Sequence, residues 1–485
     1  MAESLMNFRL VSPASRISSL SVESPSPFRL TRRSCLKASI SATIGASMTA
    51  LLPGAYETLA GVNADASSHL ASELMSTDSS LAPRDEAFIR DLQKRCYQFF
   101  LDAADASTGL VSDRGARDGS EFSEHASSAS CGFALASYAI APAAELDSFD
   151  SARERSRTLL SSLLHVAEHH NGFVYHFIGR SDGGRRMNCE ASTVDTALML
   201  AGVMCAETTY GHDPEIRSLC QALMDRTNWQ SMLSDDNLMH MGWTPEEGLL
   251  PYQWDRFSEL TILVLMAIGA PRHAIDPVCW RAWRRDQTLS HNGESFLSYP
   301  PLFVHQYPMA FFDFRHIRSP SGRSYWRNSI TAHFAQIDFL SKLGERYPDP
   351  LGHYGDNLWG VTSSDSVSGY RDWGGPYEDN RFEPDRGIDG TVVPSAAAGG
   401  LAAVPDQSLT TLRYQREHFG ESVYGRYGFA NAFNPATGWV SRDVIGIDTG
   451  ISLLMAENLR TGAVWDAFMK HPVAQAALER TGFHS

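Results

Sequence analysis

From Pro83 onward the apolar positions recur at helical spacing, and two kinds of helical segment alternate. Phe88, Leu92, Cys96, Phe99 and Phe100 return every three or four residues behind an acidic first turn at Asp85-Glu86, which predicts a one-sided helix. Leu159 to Val166, Pro214 to Met224 and Thr331 to Leu343 follow the same amphipathic pattern. Gly132 to Ala139, Thr196 to Cys205 and Leu260 to Met266 are apolar nearly all round, as a helix covered on every side must be. Such alternation fits two concentric rings, the inner helices fully covered and the outer ones wet on one face. Val393 to Ala403, Gln407 to His418 and Ile451 to Phe468 predict further helices. Strand signals are weak, and Gly172 to Phe177 is the best candidate. The prediction is an all-α toroid with irregular loops and short strands around a cleft; a large irregular helical bundle is the alternative.

The first eighty or so residues break this pattern. Thr31-Arg32-Arg33-Ser34-Cys35-Leu36-Lys37 is close to the twin-arginine export signal, and a weakly apolar stretch follows from Ala38 to Leu52. That stretch is too short and polar to span a bilayer. Residues 1–55 therefore read as a signal segment, 56–82 as a Ser- and Ala-rich linker and 83–485 as the folded domain. A basic leader with a chance Arg-Arg pair is the plain alternative. Export by the twin-arginine machinery predicts a periplasmic or secreted protein with no membrane insertion once the signal is removed.

Composition narrows the chemistry. The formal net charge of -15, without a basic cluster, disfavours nucleic acid and anionic lipid as partners. Ten Trp, 16 Tyr and 24 Phe supply flat faces on which sugar rings stack. The seven cysteines lack paired spacing, so neither a zinc site nor a disulfide framework is predicted, and buried free thiols are expected. No calcium-loop spacing stands out, and no metal or organic cofactor is expected.

Candidate chemistry sits in the segments ahead of the apolar helices. Trp254-Asp255-Arg256-Phe257-Ser258-Glu259 leads directly into Leu260 to Met266. A carboxyl group among apolar walls is disposed to hold its proton near neutral pH, as a general acid must. The helix dipole at the same position works the other way and gives an ordinary structural reason for a Glu there. Glu190 precedes Ser192 and Asp195, which together resemble a capping box, so Asp195 reads more readily as structural than as catalytic. Asp313 and Arg315, in the aromatic stretch Phe311 to Phe314, have two equal readings: an internal ion pair or a clamp on sugar hydroxyls. His305 alone reads as a core histidine. Asp448, where Ile451 to Met455 begins, reads equally as an N-cap or as a functional carboxylate.

Nine ordered motifs together resemble the bacterial glycoamylase-like domain family, of which glycoside hydrolase family 144, the β-1,2-glucanases, is the nearest branch. They are Glu190-Ala-Ser-Thr-Val-Asp-Thr-Ala-Leu, Met241-Gly-Trp-Thr-Pro-Glu-Glu-Gly, Trp254 to Glu259, Phe303-Val-His-Gln-Tyr and Asn357-Leu-Trp-Gly-Val-Thr-Ser-Ser-Asp. Asp389-Gly-Thr, Arg426-Tyr-Gly-Phe, Ile445-Gly-Ile-Asp-Thr-Gly and Glu457-Asn-Leu-Arg-Thr-Gly complete the set. The resemblance runs from about Arg84 to the C-terminus. It implies an (α/α)6 toroid and an inverting glycosidase acting on an oligo- or polysaccharide, with Glu259 as general acid and Asp448 as general base. It also implies that Glu190 is a further cleft carboxylate. Met187, three residues before Glu190, stands where some relatives carry an acid. Trp254, His305, Tyr307, Asp313, Arg315, Trp359, Asp389, Arg426 and Tyr427 would be substrate-binding residues. The function so implied is endo-β-1,2-glucanase-like hydrolysis. The alternatives are an exo-acting or transglycosylating enzyme and a non-catalytic glycan-binding envelope protein.

Overall fold

A computed structural model describes residues 81–376 and 388–485. The expected signal segment and nearly all of the linker lie outside the described residues. In chain order the principal helices are α1 (Pro83–Ala103), α2 (Ser128–Ile140), α3 (Phe149–His165), α4 (Thr193–Tyr210), α5 (Pro214–Arg226), α6 (Leu260–Gly269) and α7 (Tyr307–Phe311). They continue with α8 (Tyr325–Arg346), α9 (Pro394–Ala398), α10 (Pro405–Phe419), α11 (Gly446–Arg460), α12 (Ala463–Met469) and α13 (Pro472–Thr481).

Among the described residues, α2, α4, α6, α7, α9 and α11 form the inner ring. Helix α2 packs on α4, α4 on α6, α6 on α7, α7 and α9 on α11, and α11 returns to α2. Gln306, at the start of α7, donates to the Ala396 carbonyl of α9 at 2.6 Å. Outside them, α1 covers α11, α3 covers α2, α5 covers α4, α10 covers α9 and α13 covers α6. Helix α8 packs beside the turn Leu302–His305 that feeds α7. This is the (α/α)6 toroid. Every residue of α2 and of α6 is buried, whereas α1 buries one stripe and wets the other, as the two hydrophobic patterns require.

The crossing of α2 and α4 is exceptionally close. A Cβ on Gly202 would run into the Gly132 carbonyl, and one on Gly132 into the Leu198 carbonyl. At the C-terminal end of the ring, Gly462 (φ 73°) ends α11 and turns the chain into α12, so the single helix expected over Ile451 to Phe468 is two. Asn458 donates to the Ala310 carbonyl at 2.9 Å and accepts the Trp465 backbone N–H at 3.2 Å. The Trp465 indole donates to the Met309 carbonyl at 2.7 Å. Helix α12 is thereby tied across the C-terminal ends of α7 and α11. Glu457, fully buried, accepts from Gln93 of α1 at 2.6 Å and pairs with Arg460 at 2.9 Å. The Glu457-Asn-Leu-Arg-Thr-Gly motif is thus structural.

At the opposite end, short antiparallel pairings stitch the helix entrances together. Arg114–Ala116 pairs with Asp443–Ile445, His125–Ser127 with Phe177–Gly179, and Ala191–Ser192 with Gly242–Thr244. Single backbone bonds extend the seam: Gly446 N–H to Asp113 O, Ser128 N–H to His176 O, His176 N–H to Glu190 O, and Val392 N–H to Phe433 O. The residues that open α2, α4, α9 and α11 are therefore held on one rim. The six described cysteines are free and buried. No helix of the described residues is long and apolar enough to cross a membrane.

Candidate active site

Glu259 stands immediately before α6 with only 4 % of its surface exposed. Its carbonyl accepts the Ile262 N–H at 3.1 Å, while the hydroxyl of Ser258 accepts the Leu260 N–H at 3.3 Å. Ser258 therefore takes the capping role, and the Glu259 carboxylate makes no cap bond. Phe257 packs against His305, ring centres 4.9 Å apart. The Trp254 indole donates to Thr193 Oγ1, the first residue of α4, at 3.0 Å. Trp254 is nearly buried and acts as a strut between the segment carrying Glu259 and the one carrying Glu190.

Glu190 lies just ahead of α4 and is 8 % exposed. His176 Nδ1 approaches its Oε1 at 3.7 Å and Asp195 Oδ2 at 3.8 Å. Ser192 caps α4: it accepts the Asp195 N–H at 3.3 Å, and its hydroxyl donates to the Asp195 carboxylate at 2.6 Å. Gly242 matters here, because a Cβ at that position would stand 2.8 Å from Glu190 Cγ. Met187 sits 43 % exposed in a left-handed turn (φ 55°) before it.

Asp448 is the third residue of α11, not its N-cap. Its oxygens turn away from its own helix. Oδ1 accepts from the Ser395 hydroxyl of α9 at 3.0 Å, and Oδ2 accepts from the Asn431 amide at 2.6 Å. Behind Asn431 lies a partly buried charge cluster. Arg114 pairs with Asp365 at 3.1 Å, Asp113 at 3.3 Å and Asp443 at 3.4 Å. Burial works against the Arg114 charge, but Asp365, Asp113 and Asp443 outweigh it and hold its pKa above the ordinary range. Burial also pushes the Asp443 carboxyl up, with Arg114 opposing.

Tyr307 opens α7 at this end of the ring, 2 % exposed, its ring edge-on to Phe133 at 5.5 Å and 5.2 Å from Phe303. His305 is buried beside it. Burial, with His333 adding, pushes its pKa down to about 3, so it stays neutral and is no proton donor. Asp389 bonds within its own turn, to the Thr391 N–H at 3.0 Å and hydroxyl at 2.6 Å.

Several residues expected to contact sugar are engaged in other contacts. Asp313 and Arg315 pair with each other at 2.8 Å beyond the C-terminal end of α7, and the guanidinium lies 4.1 Å over the Trp465 ring of α12. They belong to the end of the ring away from the carboxylates. Burial opposes the Asp313 charge, but Arg315 holds the carboxyl below the usual range. Trp359 is fully buried, edge-on to His333 of α8, with its backbone N–H on Thr411 of α10 at 3.4 Å. It fills the space between outer helices and offers no face to a sugar. Arg426 and Tyr427 both bond Asp102 of α1, at 2.7 Å and 2.9 Å, and Arg426 lines a separate cavity of about 460 Å³ with Arg95, Arg117, Tyr424 and Arg442. Burial, with Asp102 adding, pushes the Tyr427 hydroxyl up to about 12.

Sequence reasoning missed His176, Ser395, Asn431 and Arg114. The available signal was a single polar residue inside a small-apolar window, Ser395 between Pro394 and Ala396 and Asn431 between Ala430 and Ala432.

The fold and rim define an (α/α)6 toroid whose inner-helix entrances carry buried carboxylates. The family model described as "Putative glucoamylase" matches residues 251–472. That match upholds the resemblance to the glycoamylase-like domain family read from the motifs. It is similar to an exo β-1,2-glucooligosaccharide sophorohydrolase (non-reducing end) of Parabacteroides distasonis, 23% identical over 359 residues, 66% of this chain and 48% of that protein. This chain thus spans about half the length of that relative. Among solved structures, the endo-β-1,2-glucanase of Chitinophaga pinensis, in complex with sophorotriose and glucose, aligns with a TM-score of 0.75 at 22% identity. That alignment covers 84% of this chain and 99% of the other. A "putative glucoamylase" of Bacteroides fragilis aligns with a TM-score of 0.74 at 26% identity, over 84% of this chain and 99% of that one.

Proposed function

We propose that this chain is a glycoside hydrolase that cleaves β-1,2-linked glucan with inversion at the anomeric carbon. The observation that carries the reading is the set of three nearly buried carboxylates, Glu190, Glu259 and Asp448, at the entrances of inner helices. Inversion needs an acid for the leaving oxygen and a base for water on the opposite face. Glu259, relieved of capping by Ser258, is the proposed acid. Asp448, with Ser395 donating to one oxygen and Asn431 to the other, is held as an acceptor and is the proposed base, acting on water directly or through a substrate hydroxyl. Glu190 is the proposed third cleft carboxylate, backed by His176.

Endo action is the mode proposed, in line with the motif resemblance and with the similar endo-β-1,2-glucanase. Exo release of disaccharides is the second reading, which the activity of the exo-acting relative supports. The test is a panel of linear β-1,2-, β-1,3-, β-1,4- and α-1,4-glucans with product analysis. Reducing ends released from β-1,2-glucan alone, as mixed chain lengths early and with the inverted anomer first by NMR, is the expected result. Sophorose as the sole early product makes the enzyme exo-acting, and no release from any glucan refutes the hydrolase. We also propose export through the twin-arginine route on the strength of Thr31 to Lys37; retention of an Arg32→Lys/Arg33→Lys variant in the cytoplasm is the expected outcome.

A further inference from the structure

We propose that Asn431 is the positioning residue for Asp448, and that Arg114 holds it in that role through Asp365. This inference rests on the reading of Asp448 as the base and adds the device that orients it.

Asn431 is 2 % exposed and is held at three points. Its backbone N–H donates to the Asp443 carbonyl at 3.0 Å. Its side-chain oxygen accepts the Asp365 backbone N–H at 2.8 Å. Its amide nitrogen then faces Asp448 Oδ2 at 2.6 Å. An amide that accepts on one side must donate on the other, so the Asp365 N–H fixes which end of Asn431 meets the carboxylate. Asp365 is itself fixed, because its carboxylate takes Arg114 Nη1 at 3.1 Å and the Ser441 hydroxyl at 3.2 Å.

Arg114 also anchors the helix bearing the base. It pairs with Asp113, whose carbonyl accepts the Gly446 N–H at 2.8 Å at the first residue of α11. It pairs further with Asp443, on the strand that leads into α11. One guanidinium therefore sets both the backbone entry of α11 and the orientation of the amide that meets Asp448. Four carboxylates, Asp113, Asp365, Asp443 and Asp448, are brought close here. The uncharged Asn431 donates a hydrogen bond to Asp448 where an aspartate would repel.

The test uses the full chain and two readouts. The first is the titration of the Asp448 carboxyl by ¹³C NMR, assigned with Asp448→Asn. In Asn431→Ala its midpoint is expected to move up by about one pH unit, because a donor to the charged form is lost. In Asn431→Asp it is expected to move further up, because a second carboxyl then faces the first. The second readout is turnover of β-1,2-glucan oligosaccharides: kcat falls at least tenfold in Asn431→Ala, KM stays within about threefold, and the acidic limb of the pH profile follows the NMR midpoint. Arg114→Lys, which keeps the charge but not the fork, is expected to give a smaller shift of the same sign. An unmoved Asp448 midpoint in folded Asn431→Ala overturns the proposal, as does unchanged kcat. Should Asn431→Ala not fold, Asn431→Ser carries the same two measurements. Absence of turnover in the unaltered chain refutes the hydrolase, while the NMR titration still decides the positioning role.

Discussion

Ser258 and Trp254 set the position of Glu259. One takes over the helix cap and the other ties the segment to α4, so the Glu259 carboxylate is positioned without a structural duty at the helix start. Glu259→Gln keeps shape and hydrogen-bonding capacity but removes the transferable proton. It is expected to lower kcat by about 10²–10⁴-fold while oligosaccharide binding changes little. Calorimetric titration beside a reducing-sugar assay checks this, and near-normal turnover disproves the acid role. At this scale the sequence was half legible. A carboxylate abutting an apolar helix is visible in one dimension, and so is the Ser192 cap of α4. That Asp448 bonds Ser395 and Asn431 is invisible there, since 53 and 17 residues separate the partners.

At the scale of elements, two contacts are predicted to govern how the rim is held. Trp254→Phe removes the indole N–H to Thr193 and leaves the ring packing in place. Its expected signature is a loss of about 1 kcal/mol in denaturant stability and a fall in kcat with KM nearly constant. Equal loss of kcat and substrate affinity would exclude the strut role. Gly202→Ala puts a methyl group into the Gly132 carbonyl across the α2–α4 crossing, and overpacking of this kind costs about 1–3 kcal/mol. Thermal unfolding measures it; an unchanged midpoint would mean the two helices separate without cost. The inner and outer helices were readable because full and one-sided burial leave different apolar patterns. The break at Gly462 was not, since the apolar period of α11 runs on into α12 across it. The place of Asp313 and Arg315 was not legible for a related reason: adjacency to aromatic residues looks the same at either end of the ring.

For the molecule as a whole, two buried histidines set the response to acid. Burial pushes His305 down to about 3, with His333 adding, and His333 itself down to about 4. The unfolded chain titrates near the ordinary value of about 6.5, so below that pH it binds protons that the folded chain refuses. Stability is therefore full above about pH 6.5 and declines as the pH falls toward 4. The expected cost at pH 5 is about 2 kcal/mol for each histidine. Urea unfolding at pH 7.5 and pH 5 tests this: the decline should flatten in His305→Gln/His333→Gln, and an equal decline would assign acid sensitivity to other groups.

The chain by itself determined that helices would form, which would be covered on all sides, and which carboxylates stand at their entrances, because those properties depend on residues within a few turns of one another. Only the tertiary structure decided that Asp448 meets Ser395 and Asn431, that Arg426 and Tyr427 serve Asp102 instead, and that Trp359 is packing. Those outcomes depend on closing the ring. Closure brings together side chains from 17 to 325 residues apart through backbone seams whose partners leave no periodic trace in the order of the amino acids.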